Sequence, residues 1–157
     1  MTRYEWLLFL HVAGAFALIG GAVIAAVFNV AALRRERPSE IALLLRLIRV
    51  AVTAISAGML FTLAFGLWLV DDAGYGYGDA WIVVALVLWL AANALGGIGG
   101  RRDRRTRELA EQLAGAGDLP SPELHARLRD PVSLALSYGS GLLVLAILGL
   151  MIWKPGA

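Results

Sequence analysis

His11 is the residue most suited to binding or catalysis, because it is the one histidine or charged residue inside the apolar stretches of the chain. Its imidazole could ligate haem or copper, or donate a hydrogen bond to a helix carbonyl or a hydroxyl such as that of Thr62, expected at the same depth. A four-coordinate metal or a bis-axial haem needs further ligands. The other histidine, His125, lies in a separate polar segment. Met59 or the His11 of a second copy in a homodimer would therefore have to complete such a site.

No other constellation of residues points to catalysis or transport. The chain has no cysteine, which excludes thiolate metal sites, iron–sulfur clusters and cysteine nucleophiles. No nucleophile–base pair shares a depth apart from His11 with Thr62, and no Asp or Glu lies inside an apolar stretch to couple transport to an ion. We therefore rank a structural or accessory role first, a haem b- or copper-binding protein using His11 second, and a small transporter last.

The remaining polar side chains of the apolar stretches predict a structural hydrogen-bond network, because each needs a partner in hydrocarbon. A helical rise of about 1.5 Å per residue places most of them in one leaflet and makes Asn29 and Asn93 the predicted pair. The predicted network consists of Asn29, Asn93, Ser56, Ser137, Tyr138 and Thr62.

Small residues predict two places of close helix packing. Along the first apolar stretch they recur every four positions, so that another helix of the chain, or a second copy in a homodimer, could approach closely. This stripe consists of Ala13, Ala17, Gly21 and Ala25. Near the end of the third stretch, four glycines predict a close helix crossing rather than a hinge. These are Gly96, Gly97, Gly99 and Gly100.

Composition and segment length place the chain in a membrane. Hydrophobic residues make up 59% of its 157 residues, and its mean hydropathy is +0.72. A bilayer core about 30 Å thick requires about 20 apolar residues in a helix. Four stretches reach that length and predict an all-α, four-transmembrane-helix bundle built from two helical hairpins. The predicted spans are residues 5–33, 41–70, 79–99 and 131–153, with a cytoplasmic segment at 100–130.

The distribution of charge predicts the orientation of these spans. Most of the arginines lie within 34–49 and 101–129, whereas the connection 71–79 is acidic and glycine-rich. The positive-inside rule places both arginine-rich loops in the cytoplasm and both termini outside. We expect these arginines to contact anionic lipid headgroups rather than nucleic acid. Four tryptophans mark the predicted outer helix ends: Trp6, Trp68, Trp81 and Trp153.

The segment 100–130 contains two helix signals. Residues 102–113 have helical composition and predict a short cytoplasmic helix that ends at Gly115–Gly117. Ser121 and Pro122 predict the start of a second helix, with serine as the cap and proline in the first turn. His125 is then expected to be exposed to solvent.

Both ends of the chain resemble a known family. The opening Trp6–Ala15 and the ending Met151–Gly156 resemble a bacterial family of predicted inner-membrane proteins, domain of unknown function 2269, over essentially the whole chain. That resemblance implies a membrane fold and no particular reaction. The L-H-x-x-G-A opening is also similar to copper-resistance-D-like membrane proteins, which would imply copper handling or haem binding through helix-borne histidines. The chain departs from that second pattern in having Ala17-Leu18-Ile19 where such openings often include tryptophan.

Overall fold

The computed structural model describes residues 2–156 and is entirely helical in architecture. Helices account for 85% of the described residues, and residues 2–156 contain no strand. Four helices are long and apolar enough to cross a membrane, which confirms the predicted four-helix membrane fold. The helices are α1 (Arg3–Leu33), α2 (Pro38–Asp72), α3 (Ala80–Gly115), α4 (Pro122–Leu128) and α5 (Pro131–Trp153).

Local capping signals set three of the helix starts. The Thr2 hydroxyl accepts from the Glu5 N–H while the Glu5 carboxylate accepts from the Thr2 N–H, a reciprocal capping box at α1. The Ser121 hydroxyl accepts from the N–H of the residue three positions on, so α4 begins where its cap and proline predicted. At α5, Asp130 accepts from the N–H and hydroxyl of Ser133. Each bond satisfies a backbone or side-chain donor at a helix end.

Helices α2 and α3 continue beyond the predicted spans as single helices. Residues 102–113 are the last turns of α3, and not a separate short helix, because α3 runs without a break for 36 residues. The four glycines between positions 96 and 100 do not interrupt α3. An unbroken helix pairs each backbone N–H and C=O group, so that none is left without a partner in hydrocarbon. Gly99 is buried where α3 crosses α5, and a Cβ there would meet Leu136 at 3.7 Å. A Cβ at Gly97 or Gly100 would meet nothing within 4 Å.

The closest helix packing lies in the α1–α2 hairpin and includes only part of the predicted stripe. A Cβ at Gly58 would lie 2.6 Å from the carbonyl oxygen of Gly14 and 2.6 Å from the amide nitrogen of Leu18. Gly21 of the stripe is buried, whereas Ala13 and Ala17 are exposed. Positions four apart drift about 40° around a helix at each step, whereas alternating steps of three and four stay on one face. The buried face of α1 follows that alternation at Leu7, Gly14, Leu18 and Gly21.

The second hairpin, α3 with α5, is more open. No residue of α5 is buried within the chain, although Leu143 and Val144 pack against a cluster formed by Leu18, Met59 and Ala92. Because those residues come from α1, α2 and α3, all four long helices meet at this level. The outer surface of α5 remains available to lipid.

At the end of the bundle that carries the α1–α2 and α3–α4 connections, the first turns of α2, the last turns of α3 and all of α4 form a cap with its own apolar core. Ile41 and Leu124 are both 0% exposed there. The other buried core residues are Ala42, Leu45, Ala110 and Leu128. An ion pair between Arg46 and Glu111, 2.8 Å apart, joins α2 to α3 at its edge. This cap is a folded extension of the bundle and not a loop.

Asp118, in the α3–α4 connection, caps the N-terminus of α2 from a distance. Its carboxylate accepts from the Ser39 hydroxyl and the Ser39 N–H, both at 2.7 Å. These two bonds, with a weaker attraction from Arg37, hold the pKa of Asp118 below its usual value. Its φ of 57° is left-handed, a conformation that Asp and Asn tolerate. The connection is thereby fastened to α2.

We expect the Asp118→Asn variant to be less stable than the wild type at pH 7, by an amount that shrinks as the pH falls below about 4. The folded-state pKa lies below the unfolded value of about 3.9, so the carboxylate stabilises the fold above that pH and ceases to do so once it is protonated. Asparagine keeps the left-handed backbone preference. Thermal unfolding in detergent across a pH series measures the effect, and a pH-independent difference would contradict it.

Candidate functional site

His11 lies half-buried on α1 and faces α2. Its Nδ1 is 2.9 Å from the carbonyl oxygen of Thr62. Because a carbonyl only accepts, Nδ1 carries the proton of this bond, and Nε2 keeps a free lone pair. The predicted partnership with Thr62 therefore forms through the backbone.

The residues around His11 explain why the ring fits there. A Cβ at Gly66 would come within 3.0 Å of the His11 Nδ1 and Cε1 atoms, so the missing side chain of Gly66 provides the space for the imidazole. The Thr62 hydroxyl donates to the carbonyl of Gly58 at 2.6 Å and is not the partner of the ring. His11 thus joins α1 to α2 through one hydrogen bond and one close contact.

Met59 is 8% exposed and packs in the cluster with Leu18 and Ala92. Leu18 is seven residues along α1 from His11, a rise of about 10 Å, whereas Met59 is three residues along α2 from Thr62, a rise of about 4.5 Å. Within residues 2–156, no three or more His, Cys, Asp or Glu side chains are grouped to hold a metal. One chain therefore presents a single imidazole, oriented by a carbonyl as metal-ligating histidines commonly are, and Met59 stays a predicted second ligand about one turn away along α2.

The inner polar residues bind helix carbonyls and do not form the predicted network. The Asn93 amide donates to the Trp89 carbonyl one turn earlier at 2.9 Å, and Ser56 likewise donates to Val52. Among the described residues, no hydrogen bond joins Asn93 to Asn29, which lies on α1, a helix that packs mainly on α2. A side chain that reaches the carbonyl four positions back needs no partner on another helix.

Ser137 and Tyr138, the predicted network residues on α5, make no hydrogen bond between helices within residues 2–156. Ser137 faces Gly99, where a Cβ would lie 3.9 Å from its hydroxyl. Tyr138 is 57% exposed and faces outward. Ser140, which was not in the predicted network, lies on the same helix and links α5 to α3 by donating to the Ala92 carbonyl at 3.1 Å.

The end of the bundle near Arg3 and Lys154 holds cations against aromatic rings. The Lys154 ammonium lies 4.7 Å from the ring centroid of Tyr75 and 5.7 Å from that of Trp81, while Arg3 lies 5.2 Å from that of Trp68. Trp81 is only 4% exposed and packs edge-on against Tyr75. Trp81 is therefore a core residue of this end, unlike the exposed Trp6, Trp68 and Trp153.

The opposite end carries a cavity that sequence reasoning missed. It has a volume of about 650 Å³ and lies between the α1–α2 loop and the segment around α4. Its lining consists of Leu33, Arg34, Arg35, Glu36, Pro120, Ser121, Pro122, His125 and Arg129. His125, expected to be exposed, is half-buried in its wall. No spacing signal could have found this cavity, because its two walls are nearly a hundred residues apart in the chain.

The family of the chain follows from a comparison with family models. The model described as a predicted integral membrane protein, DUF2269, matches residues 5–155. The chain belongs to the DUF2269 family. No curated protein and no solved structure matches it. Membership of the DUF2269 family confirms the predicted resemblance. It also identifies the chain as a predicted integral membrane protein of unknown function.

Two features therefore stand out in this DUF2269 chain as places where chemistry could occur. The first is the Nε2 of His11, which is left free while Nδ1 donates to the Thr62 carbonyl. The second is the arginine-lined cavity beside Leu33. The similarity to copper-resistance-D-like proteins stays an expectation.

Proposed function

We propose that this DUF2269 member is a structural or accessory protein of the bacterial cytoplasmic membrane and has no catalytic activity. The observation that supports this is the use of its intramembrane polar groups. His11, Ser140 and Asn93 each bond to a helix carbonyl, two of them across a helix pair. Such bonds join or stiffen helices and leave no nucleophile beside a base.

The placement of charge supports an orientation with both arginine-rich segments in the cytoplasm. The Arg46–Glu111 pair and the Asp118–Ser39 bonds lie at one end of the bundle. Arg3, near Asp72, and the C-terminal Lys154 lie at the other. Under the positive-inside rule the arginine-rich end faces the cytoplasm, and both termini lie outside.

A haem- or copper-binding protein is the second candidate, and one observation favours it. The bond from His11 Nδ1 to the Thr62 carbonyl leaves Nε2 free to act as a ligand in the way that histidine ligands are commonly oriented. The second ligand would be Met59 or the His11 of a second copy in a homodimer. Ala13 and Ala17 are exposed on α1, where a second helix could approach.

The His11→Ala variant separates the two candidates. Under the structural proposal, the protein purified in mild detergent shows no Soret band and no stoichiometric copper, and the variant loses about 1 kcal/mol of stability with the interhelical hydrogen bond. Ser140→Ala is the matched control, because it also removes one side-chain bond between helices. We expect it to cost a similar amount. An absorption band or bound copper present in the wild type and in Ser140→Ala, but lost in His11→Ala, would overturn the structural proposal and establish the redox one.

A further inference from the structure

The arginine-lined cavity brings together basic residues from two distant segments. Arg34 and Arg35 follow the last residue of α1, and Arg129 ends α4 just before α5 begins. Pro122 and Ser121, at the start of α4, form part of the wall between them. The volume of about 650 Å³ lies within the range of about 300–1,000 Å³ that small-molecule pockets occupy.

The cavity lies at the depth of lipid headgroups. The uncharged run Trp6–Leu33 rises about 42 Å as a helix, which matches the roughly 40–45 Å thickness of a bilayer with its headgroup regions. Arg34 comes directly after that run. The 23 residues of α5 rise about 35 Å, so Arg129 also lies just beyond the hydrocarbon core. A ligand in this cavity can therefore be a lipid headgroup whose chains remain in the bilayer.

The charges that line the cavity favour an anion. Three guanidinium groups face one carboxylate, that of Glu36. Arg35 is already paired with Glu40, at 3.6 Å. Among residues 2–156, Arg34 and Arg129 have no carboxylate within 4.0 Å. Two unpaired guanidinium groups on opposite walls are suited to bind a phosphate, because each arginine can donate two parallel hydrogen bonds to it.

We propose that this cavity is a binding site for the phosphate group of an anionic ligand, supplied by a phospholipid headgroup or by a soluble phosphate ester. Arg34 and Arg129 are the phosphate-binding residues, and the His125 imidazole lies in the wall beside them. This site is independent of His11 and of the structural role proposed above.

Native mass spectrometry of the full chain in mild detergent tests this site. The protein is titrated with phosphatidylglycerol, with phosphatidylcholine and, separately, with glycerol 3-phosphate. The test variant is Arg34→Gln/Arg129→Gln. The matched control is Arg101→Gln/Arg105→Gln, which removes the same charge from exposed arginines that have no ion pair and do not line the cavity. Thermal unfolding of each variant verifies the fold.

We expect the wild type and the control to bind phosphatidylglycerol in preference to phosphatidylcholine. The cavity variant should bind it about 30-fold more weakly, which corresponds to about 2 kcal/mol for two arginines. If glycerol 3-phosphate binds the wild type and displaces the lipid from it, but does not do so in the Arg34→Gln/Arg129→Gln variant, the ligand is a soluble ester. If it does not bind, the ligand is the lipid. Equal weakening in both double variants, or no binding of either phosphate compound above phosphatidylcholine, would overturn the proposal.

Should the cavity variant fold poorly, Arg34→Lys/Arg129→Lys keeps the charge and provides a second test. We expect it to bind phosphatidylglycerol more weakly than the wild type, because lysine keeps the charge but cannot donate the two parallel hydrogen bonds of a guanidinium group. Binding as tight as that of the wild type in this folded variant would contradict the guanidinium contacts. Unchanged binding in a folded Arg129→Gln single variant contradicts the site.

Discussion

The Gly58→Ala variant is expected to lose about 3 kcal/mol of stability, close to the upper end of the usual cost of overpacking. A methyl group there would lie 2.6 Å from the Gly14 carbonyl oxygen and 2.6 Å from the Leu18 amide nitrogen. Both are backbone atoms, so no side-chain rotation can relieve the clash. The two helices must separate, and the contact of His11 with the Thr62 carbonyl is then strained as well.

Gly20→Ala is the matched control for this variant. Gly20 lies on α1 in the same hairpin, and a Cβ there would meet nothing within 4 Å. We expect that variant to be as stable as the wild type or slightly more so, since alanine is favoured over glycine in a helix by about 1 kcal/mol. Tryptophan fluorescence during unfolding in mixed micelles compares the two. Equal stability of both variants would show that the hairpin adjusts without cost.

The Leu124→Ala variant is expected to release α4 from the cap at a cost of about 3 kcal/mol. Leu124 is 0% exposed and packs in the core formed with Ile41 and Ala110. A helix of seven residues is too short to persist in water without such packing. The loss of this anchor should therefore unfold α4 while the spanning helices stay intact.

Hydrogen exchange and limited proteolysis of the segment 116–130 measure that release. The matched control is Leu119→Ala, because Leu119 lies in the same segment and is 74% exposed. We expect faster exchange and cleavage in Leu124→Ala and no change in Leu119→Ala. Protection of α4 that survives in Leu124→Ala would mean that the connection is held chiefly by the Asp118–Ser39 bonds.

The amino-acid sequence predicts the four spanning helices, their pairing into two hairpins and the helix start at Ser121. These features depend on short-range physics: about 20 apolar residues cross a bilayer, and a cap satisfies donors within three residues of itself. The sequence also predicted that His11 and Thr62 lie at the same depth, because the rise per residue of a helix is constant.

Which helix faces pack depends on the tertiary structure. In a bilayer both the lipid-facing and the buried sides of a helix are apolar, so hydrophobic periodicity does not distinguish them, and the predicted stripe is buried at Gly21 but exposed at Ala13 and Ala17. The Asp118 cap on α2 and the cavity between Arg34 and Arg129 join segments far apart in the chain. Their contacts arise from how the helices are placed in space, which no local pattern of residues records.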